Sequence, residues 1–213
     1  GADLCTVEEA HDFLENVPEK LPFMGTSCCP AWSVMAKKLF PQFKDCISMA
    51  LTPMVITARM VKKDHPNARI VFVGPCSAKK LEANRRSVRS DVDFVLTFEE
   101  MQAMFSARGI DVTKMEKAEL DNASFFGRIF ARCGGLATAV EQALREQGVT
   151  PEEFTLKATS CNGIAECRTA LLKAQKGVLP ENFIEGMACE GGCVAGPGGV
   201  EDPLRLKKNR MKL

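Results

Sequence analysis

The sequence predicts an α/β fold, a sheet layered by helices. Three observations carry that prediction. Apolar, β-branched runs at residues 68–76, 91–96 and 182–189 alternate with stretches of helical period. Capping and stop residues punctuate the periodic stretches at the expected places. No internal repeat, low-complexity tract or long linker interrupts the alternation.

Each element has its own local justification. Residues 6–17 (TVEEAHDFLENV) open on a threonine cap with acids in the first turn and predict a helix. "LPFMGTS" predicts a short strand running into a loop, and "AWSVMAKKLF" restarts as an amphipathic helix with Pro30 in its first turn. Residues 52–64 combine a threonine cap, a following proline and helically spaced apolar residues. "ARIVFVGPC" is the strongest candidate for a buried strand, ending at Gly74-Pro75. "DVDFVL" predicts another strand, and "TFEEMQAMFSARG" a capped helix stopped at Gly109. After a looser stretch over residues 110–125, "GGLATAVEQALREQG" predicts a helix closed by Gly148. "EFTLKATS" then predicts a strand, "NGIAECRTALLKAQKG" a helix, and "NFIEGMAC" a short strand entering a glycine-rich loop. The basic C-terminal stretch predicts a helix or frayed tail.

Composition narrows the function classes. The chain has 213 residues, 46% hydrophobic and 26% charged, as in ordinary soluble globular proteins. It is long enough for one large domain or two small ones with a true core. A net charge of +1 argues against nucleic-acid or membrane binding steered by charge. No apolar window is long enough for a membrane span. The N-terminal "GADLCTVEEAHDFLENV" has early acids and no basic segment, so no secretory signal is expected and the expected location is cytoplasmic. It also lacks an initiating methionine, which suggests a processed form or part of something longer.

The ten cysteines are the unusual feature. Without a secretory signal, clustered thiols point to metal binding or catalysis before disulfides. About half are expected to be ordinary buried thiols. The others sit in three loops of one design, "TSCCPAW", "VGPCSAKKLE" and "EGMACEGGCVAGPG". In each, a strand ends, glycine or proline turns the chain, and a thiol is presented. Strand-end loops of α/β sheets collect ligands, and glycine lets backbone approach a bulky group. Cys29, Cys76, Cys189 and Cys193 supply four thiolates from three loops, the usual number for an iron–sulfur cluster. Zinc is the rival, but only Cys189 and Cys193 have the compact pair spacing it normally uses.

These loops, in this order and separation, resemble the three signature motifs of the iron-only (FeFe) hydrogenase catalytic domain. The resemblance extends to "EEAHDFL", "DVDFVLTFEEM", "FGRIFARCGGLATAVEQAL" and "NGIAECRTALLKAQKG", and so covers nearly the whole chain. It implies a mixed, largely parallel sheet flanked by helices, one lobe of that catalytic domain. It implies reversible oxidation of dihydrogen to protons and electrons at an H-cluster, a 4Fe–4S cubane joined to a di-iron subcluster. By resemblance, Cys29, Cys76 and Cys189 are terminal cubane ligands, and Cys193 also bridges to the di-iron unit. Cys28 is a free thiol beside the open iron, relaying protons through water to Glu9, Ser48 and Asp12. The family usually has glutamate at the position of Asp12. Lys79 holds a cyanide of the di-iron unit, Met187 packs beside the cluster, Glu82 supports the loop and Lys80 is solvated. Implied partners are ferredoxin or another electron carrier, upstream iron–sulfur domains and maturation proteins, with no nucleic acid and no membrane span.

Departures accompany the resemblance. Gly74 stands where methionine is usual, Ala31 replaces a glycine, and the third motif continues as "AGPGGVED". Residues 1–213 correspond to a partial C-terminal domain, with an upstream lobe and ferredoxin-like domains expected beyond them. Alone, the chain is expected to turn over little even if it binds a cubane, with both a cluster-bound and an apo form open to it. The alternatives are a hydrogenase-like iron–sulfur assembly scaffold and a sensory hydrogenase-like domain. Cys28, Cys29 and Lys79 together favour the enzyme, because a scaffold needs no proton-relay thiol. Cys5, Cys46, Cys133, Cys161 and Cys167 are expected as ordinary thiols, with Cys161 and Cys167 the pair to examine for proximity.

Overall fold

The computed structural model describes residues 1–118, 123–150 and 155–200. The basic C-terminal stretch and the first residues of the strand expected at 153–160 lie outside them. The chain runs α1 (Ala2–Asn16), β1 (Met24–Gly25), α2 (Pro30–Leu39), α3 (Pro53–Asp64), β2 (Val71–Gly74), α4 (Ala78–Ala83), β3 (Phe94–Thr97) and α5 (Phe98–Ala107). It continues through α6 (Phe125–Ile129), α7 (Gly135–Glu146), β4 (Ala158–Asn162), α8 (Ile164–Gln175) and β5 (Phe183–Met187).

The strands divide between two sheets, β1-β5-β4 and β2-β3, and every strand pairing is parallel. One isolated antiparallel bridge, Arg132 with Gly192, lies outside the strands. Side-chain alternation sends successive residues of β5 to opposite faces. Phe183 joins a core with Cys5 and Phe13 of α1 and Leu136 and Val140 of α7. Ile184 joins a second core with Trp32 of α2 and Cys167 and Leu171 of α8. Helices therefore cover both faces of this sheet, and all five residues of β5 are buried. A third core packs Met54, Val55 and Ala58 of α3 against Phe72 and Val95 of the smaller sheet.

Local signals place most elements well. Pro30 and Pro53 start α2 and α3. Thr97 and Glu100 close a reciprocal capping box on α5. Gly109 and Gly148 follow α5 and α7 with positive φ.

Three expectations are corrected. Helix α1 begins four residues before Thr6, whose hydroxyl donates to the Ala2 carbonyl at 3.1 Å inside the helix. Thr6 and Cys5 are buried in the first turns, so packing extends the helix beyond the polar start signal. Thr52 stands at the cap position of α3 but makes no capping bond, and its buried hydroxyl has no partner among the described residues. Strand β2 is not buried: Val71 is 49% and Val73 37% exposed, because only β3 lies beside it and α3 covers one face. The short helix α6 was not anticipated; Ser124 caps it by accepting from the Gly127 amide.

Candidate metal centre

All three cysteine loops leave the C-terminal ends of parallel strands. Strand β1 ends at Gly25, β2 at Gly74 and β5 at Met187, and each loop carries its thiol away from a strand end. Parallel strands present their carboxyl ends on the same side, which is how residues far apart in sequence meet. The first loop is tied to β5: the Trp32 indole donates to Thr26 O, and the Gly186 amide donates to the Thr26 hydroxyl. The third loop closes on the second, with the Gly198 amide donating to Pro75 O at 2.9 Å. Gly196 permits that approach, since a Cβ there would stand 2.4 Å from the Pro75 oxygen.

The result is a cavity of about 110 Å3 lined by Cys28, Cys29, Cys76, Lys79, Met187, Cys189 and Cys193, together with backbone of the same loops. A water molecule occupies roughly 30 Å3, so the space suits a polyatomic group. Among the described residues, no three Cys, His, Asp or Glu side chains converge as they would on a single metal ion. The four thiols named from the sequence all line this one cavity. Burial pushes the Cys193 thiol up to about 12 and raises Cys189, with Cys29 and Cys76 adding like-charge repulsion. Cys189 and Cys193, both raised by burial, are thiols whose ionisation a cationic metal core would compensate.

The adjacent cysteines part company. Cys29 precedes α2 and packs into the core with Trp32, whereas Cys28 belongs to the core of α1 and α7. Burial raises the Cys28 thiol well above its ordinary value, and Cys5 and Glu9 reinforce the shift. Cys28 therefore sits between the cavity and the acid-bearing face of α1.

Lys79, 8% exposed, lines the cavity from α4. Its ammonium donates to Glu82 Oε2 at 2.6 Å and to Cys28 O at 3.2 Å. An ammonium has three N–H donors, so one has no partner among these contacts. Glu82, 3% exposed, holds Lys79 in place, a specific form of the loop support expected of it. Lys80 is solvated and pairs with Glu100 across the surface.

Glu9 is fully buried, and burial raises its carboxyl to about 7 against stabilisation by Ser27 and Ser48. Its Oε1 accepts from the Ser27 amide at 2.8 Å and lies 2.9 Å from the Ser27 hydroxyl. That hydroxyl also contacts Ala50 O at 2.6 Å, and a carbonyl can only accept. The single Ser27 hydroxyl proton is thus shared between Glu9 Oε1 and Ala50 O. Glu9 Oε2 is buried without a partner in hydrogen-bonding distance among the described residues. The Ser48 hydroxyl, near enough to favour the Glu9 carboxylate, donates to Asp12 Oδ2 at 2.5 Å. Asp12 also accepts from the Met49 amide and from Asn16, at a half-buried edge of α1. The structure thus brings Glu9, Ser48 and Asp12 into one polar file beside Cys28.

Sequence reasoning missed two residues here. Ser27 links Glu9 to Ala50, and nothing beyond its position next to Cys28 pointed to it. Glu185 is a buried carboxylate in β5 that accepts from the Gly134 and Ala137 amides and so caps α7. An acid inside the apolar run "NFIEGM" was the signal that could have found it.

Comparison with known proteins gives a consistent family. The iron-only hydrogenase large subunit, C-terminal domain, matches residues 1–197. Iron hydrogenase 1 of Clostridium pasteurianum is 32% identical over all of this chain and 44% of its own length. Cytosolic iron-sulfur assembly component 3 of Mus musculus is 27% identical over 88% of this chain and 49% of its own. The chain thus spans about half the length of these relatives. A variant of the [FeFe]-hydrogenase HydA1 from Chlamydomonas reinhardtii superposes with a TM-score of 0.75 at 24% identity. That match covers 99% of this chain and 71% of the other, and at this identity it speaks to the fold alone. On the strength of the match over residues 1–197, the chain belongs to the iron-only hydrogenase large subunit, C-terminal domain family.

Proposed function

We propose that this domain is the cluster-bearing catalytic part of an iron-only hydrogenase, taking dihydrogen and protons as substrates. Cys29, Cys76, Cys189 and Cys193 would hold a 4Fe–4S cluster, with Cys193 shared with a di-iron subcluster. When bound, that H-cluster supplies the redox chemistry of reversible dihydrogen oxidation. The remaining work belongs to the chain. Lys79, positioned by Glu82 and Cys28 O, offers its remaining donor to an anionic ligand in the cavity. Cys28 exchanges a proton at the cavity wall, Glu9 holds it in the buried interior, and Ser48 and Asp12 carry it to the edge of α1. A carboxyl raised to about 7 is suited to both giving and taking a proton near neutrality. Ferredoxin or a similar carrier would take the electrons, aided by further iron–sulfur domains and maturation proteins, in the cytoplasm. The 213-residue chain alone is expected to turn over little.

The observation that carries this reading is Cys28, a thiol lining the cavity and adjoining a buried acid file. A second reading, an iron–sulfur assembly scaffold, is favoured by the similarity to the mouse assembly component. The two diverge at Cys28. In the matured protein, Cys28→Ala should keep iron content and cluster spectra while losing most turnover with reduced viologen; Cys29→Ala should instead lose iron. Iron bound without turnover in the parent protein, and unaffected by Cys28→Ala, would support the scaffold. Loss of iron in Cys28→Ala with retention in Cys29→Ala would reverse the two assignments.

A further inference from the structure

Two cysteines outside the cavity meet at one point on β5. Strand register places Cys161 of β4 opposite Gly186, and the Cys167 thiol of α8 points at the carbonyl of the next residue, Met187, at 3.7 Å. The two side chains belong to one buried core, and both thiols are free. Cys167 is fully enclosed, whereas Cys161 borders a separate cavity of about 250 Å3 whose rim includes the exposed Thr169 and Lys173. Pair, contact and one-sided access are what an attacking thiol and its resolving partner require.

We propose that Cys161 and Cys167 form a peroxide-oxidisable dithiol, with Cys161 the attacking and Cys167 the resolving thiol. The Cys161 sulfur attacks one oxygen of hydrogen peroxide and the O–O bond breaks. The departing hydroxide takes the Cys161 proton and leaves as water, and Cys161 becomes a sulfenic acid. The Cys167 sulfur then attacks the Cys161 sulfur, forming S–S and breaking S–O. That second hydroxide leaves with the Cys167 proton as water. Two thiols and one hydrogen peroxide give one disulfide and two waters, the sulfurs losing two electrons to the peroxide. The Cys167 S–H has both Met187 O and the Cys161 sulfur within reach. Donation to Cys161 holds that thiol below its ordinary value and so favours its attack. Oxidation withdraws one donor from Met187, which lines the cysteine cavity, while the Gly163 amide still holds its carbonyl at 2.8 Å. The dithiol does not depend on what that cavity binds.

Both cysteines lie in the tryptic peptide Ala158–Arg168. The folded, reduced chain is treated with equimolar hydrogen peroxide, unfolded, alkylated with N-ethylmaleimide, digested and weighed, with every cysteine peptide followed. Ala158–Arg168 should appear two hydrogens lighter and unalkylated. Cys167→Ser should stop at the sulfenic acid, captured on Cys161 by dimedone. Cys161→Ser should leave Cys167 alkylated and unmarked by dimedone. The proposal is overturned if Ala158–Arg168 takes two alkyl groups while other cysteines oxidise. A sulfenic acid on Cys167 in Cys161→Ser would overturn the assigned order. The wild-type peptide mass decides the pairing even where a serine variant fails to fold.

Discussion

The two sheets carry the same kind of loop on different foundations. Strand β5 is buried at every residue between two helical layers, while Gly74 alone is buried in β2. Parallel sheets are normally covered on both faces, and a two-stranded sheet is weak on its own. Cys29, Cys189 and Cys193 therefore hang from a firm sheet, and Cys76 and Lys79 from a lightly packed one. What holds the second loop is a set of polar ties reaching the other two: Lys79 to Cys28 O, and the Gly198 amide to Pro75 O. The cavity wall is built by cross-loop bonds wherever the underlying sheet supplies little.

The strongest way to break that contrast is at Trp32, fully buried against β5, where a Cβ on Gly186 would lie 2.2 Å from the indole. Trp32→Ala should cost about 3–5 kcal/mol in denaturant unfolding and disorder the first and third loops together. A loss well under that range would mean the large sheet is less firmly packed than its burial implies.

Next in size is the pH dependence attached to Glu9. An acid whose folded value lies above its unfolded value binds its proton more tightly when folded. Its contribution is complete below the ordinary value of 4.5 and is lost as pH rises toward about 7. The shift corresponds to roughly 3 kcal/mol, so unfolding curves at about pH 5 and pH 8 should differ by that order. Glu9→Gln should remove this component; an unchanged slope in that variant would assign it to other groups.

The smallest expected effect sharpens the comparison from the other side. Val73→Thr, on the open face of β2, should change stability by less than about 0.5 kcal/mol, whereas Ile184→Ala in β5 should cost about 2–5. Similar costs at the two positions, measured by the same unfolding assay, would indicate that the open face of β2 is covered in solution.

Legibility in the sequence followed the range of each interaction. The capping box of Thr97 and Glu100 spans three residues, and its signal was complete within them. The three thiol loops were equally plain, each carried by a short run of glycine, proline and cysteine. The start of α1 was not, because the pull of Cys5 and Ala10 into the core outweighs the cap signal at Thr6. The pairing of Lys79 with Glu82 had only a weak signal, their three-residue spacing on a helix. That Lys79 also grips Cys28 O, 51 residues away, has no local trace.

The sequence by itself determined which residues could be ligands and where most helices begin and stop, since those preferences arise from neighbours along the chain. Only the tertiary structure decided that the strands split into two sheets and that β2 stays open. It also decided that Cys28 and Cys29 enter different cores, that Glu9 is buried beside them, and that Cys161 meets Cys167 over β5. These outcomes depend on burial and register between distant segments, as in the bond from Gly186 to Thr26, 160 residues apart. Burial sets both packing energy and proton affinity, and a residue acquires it only from the partners that the whole fold brings to it.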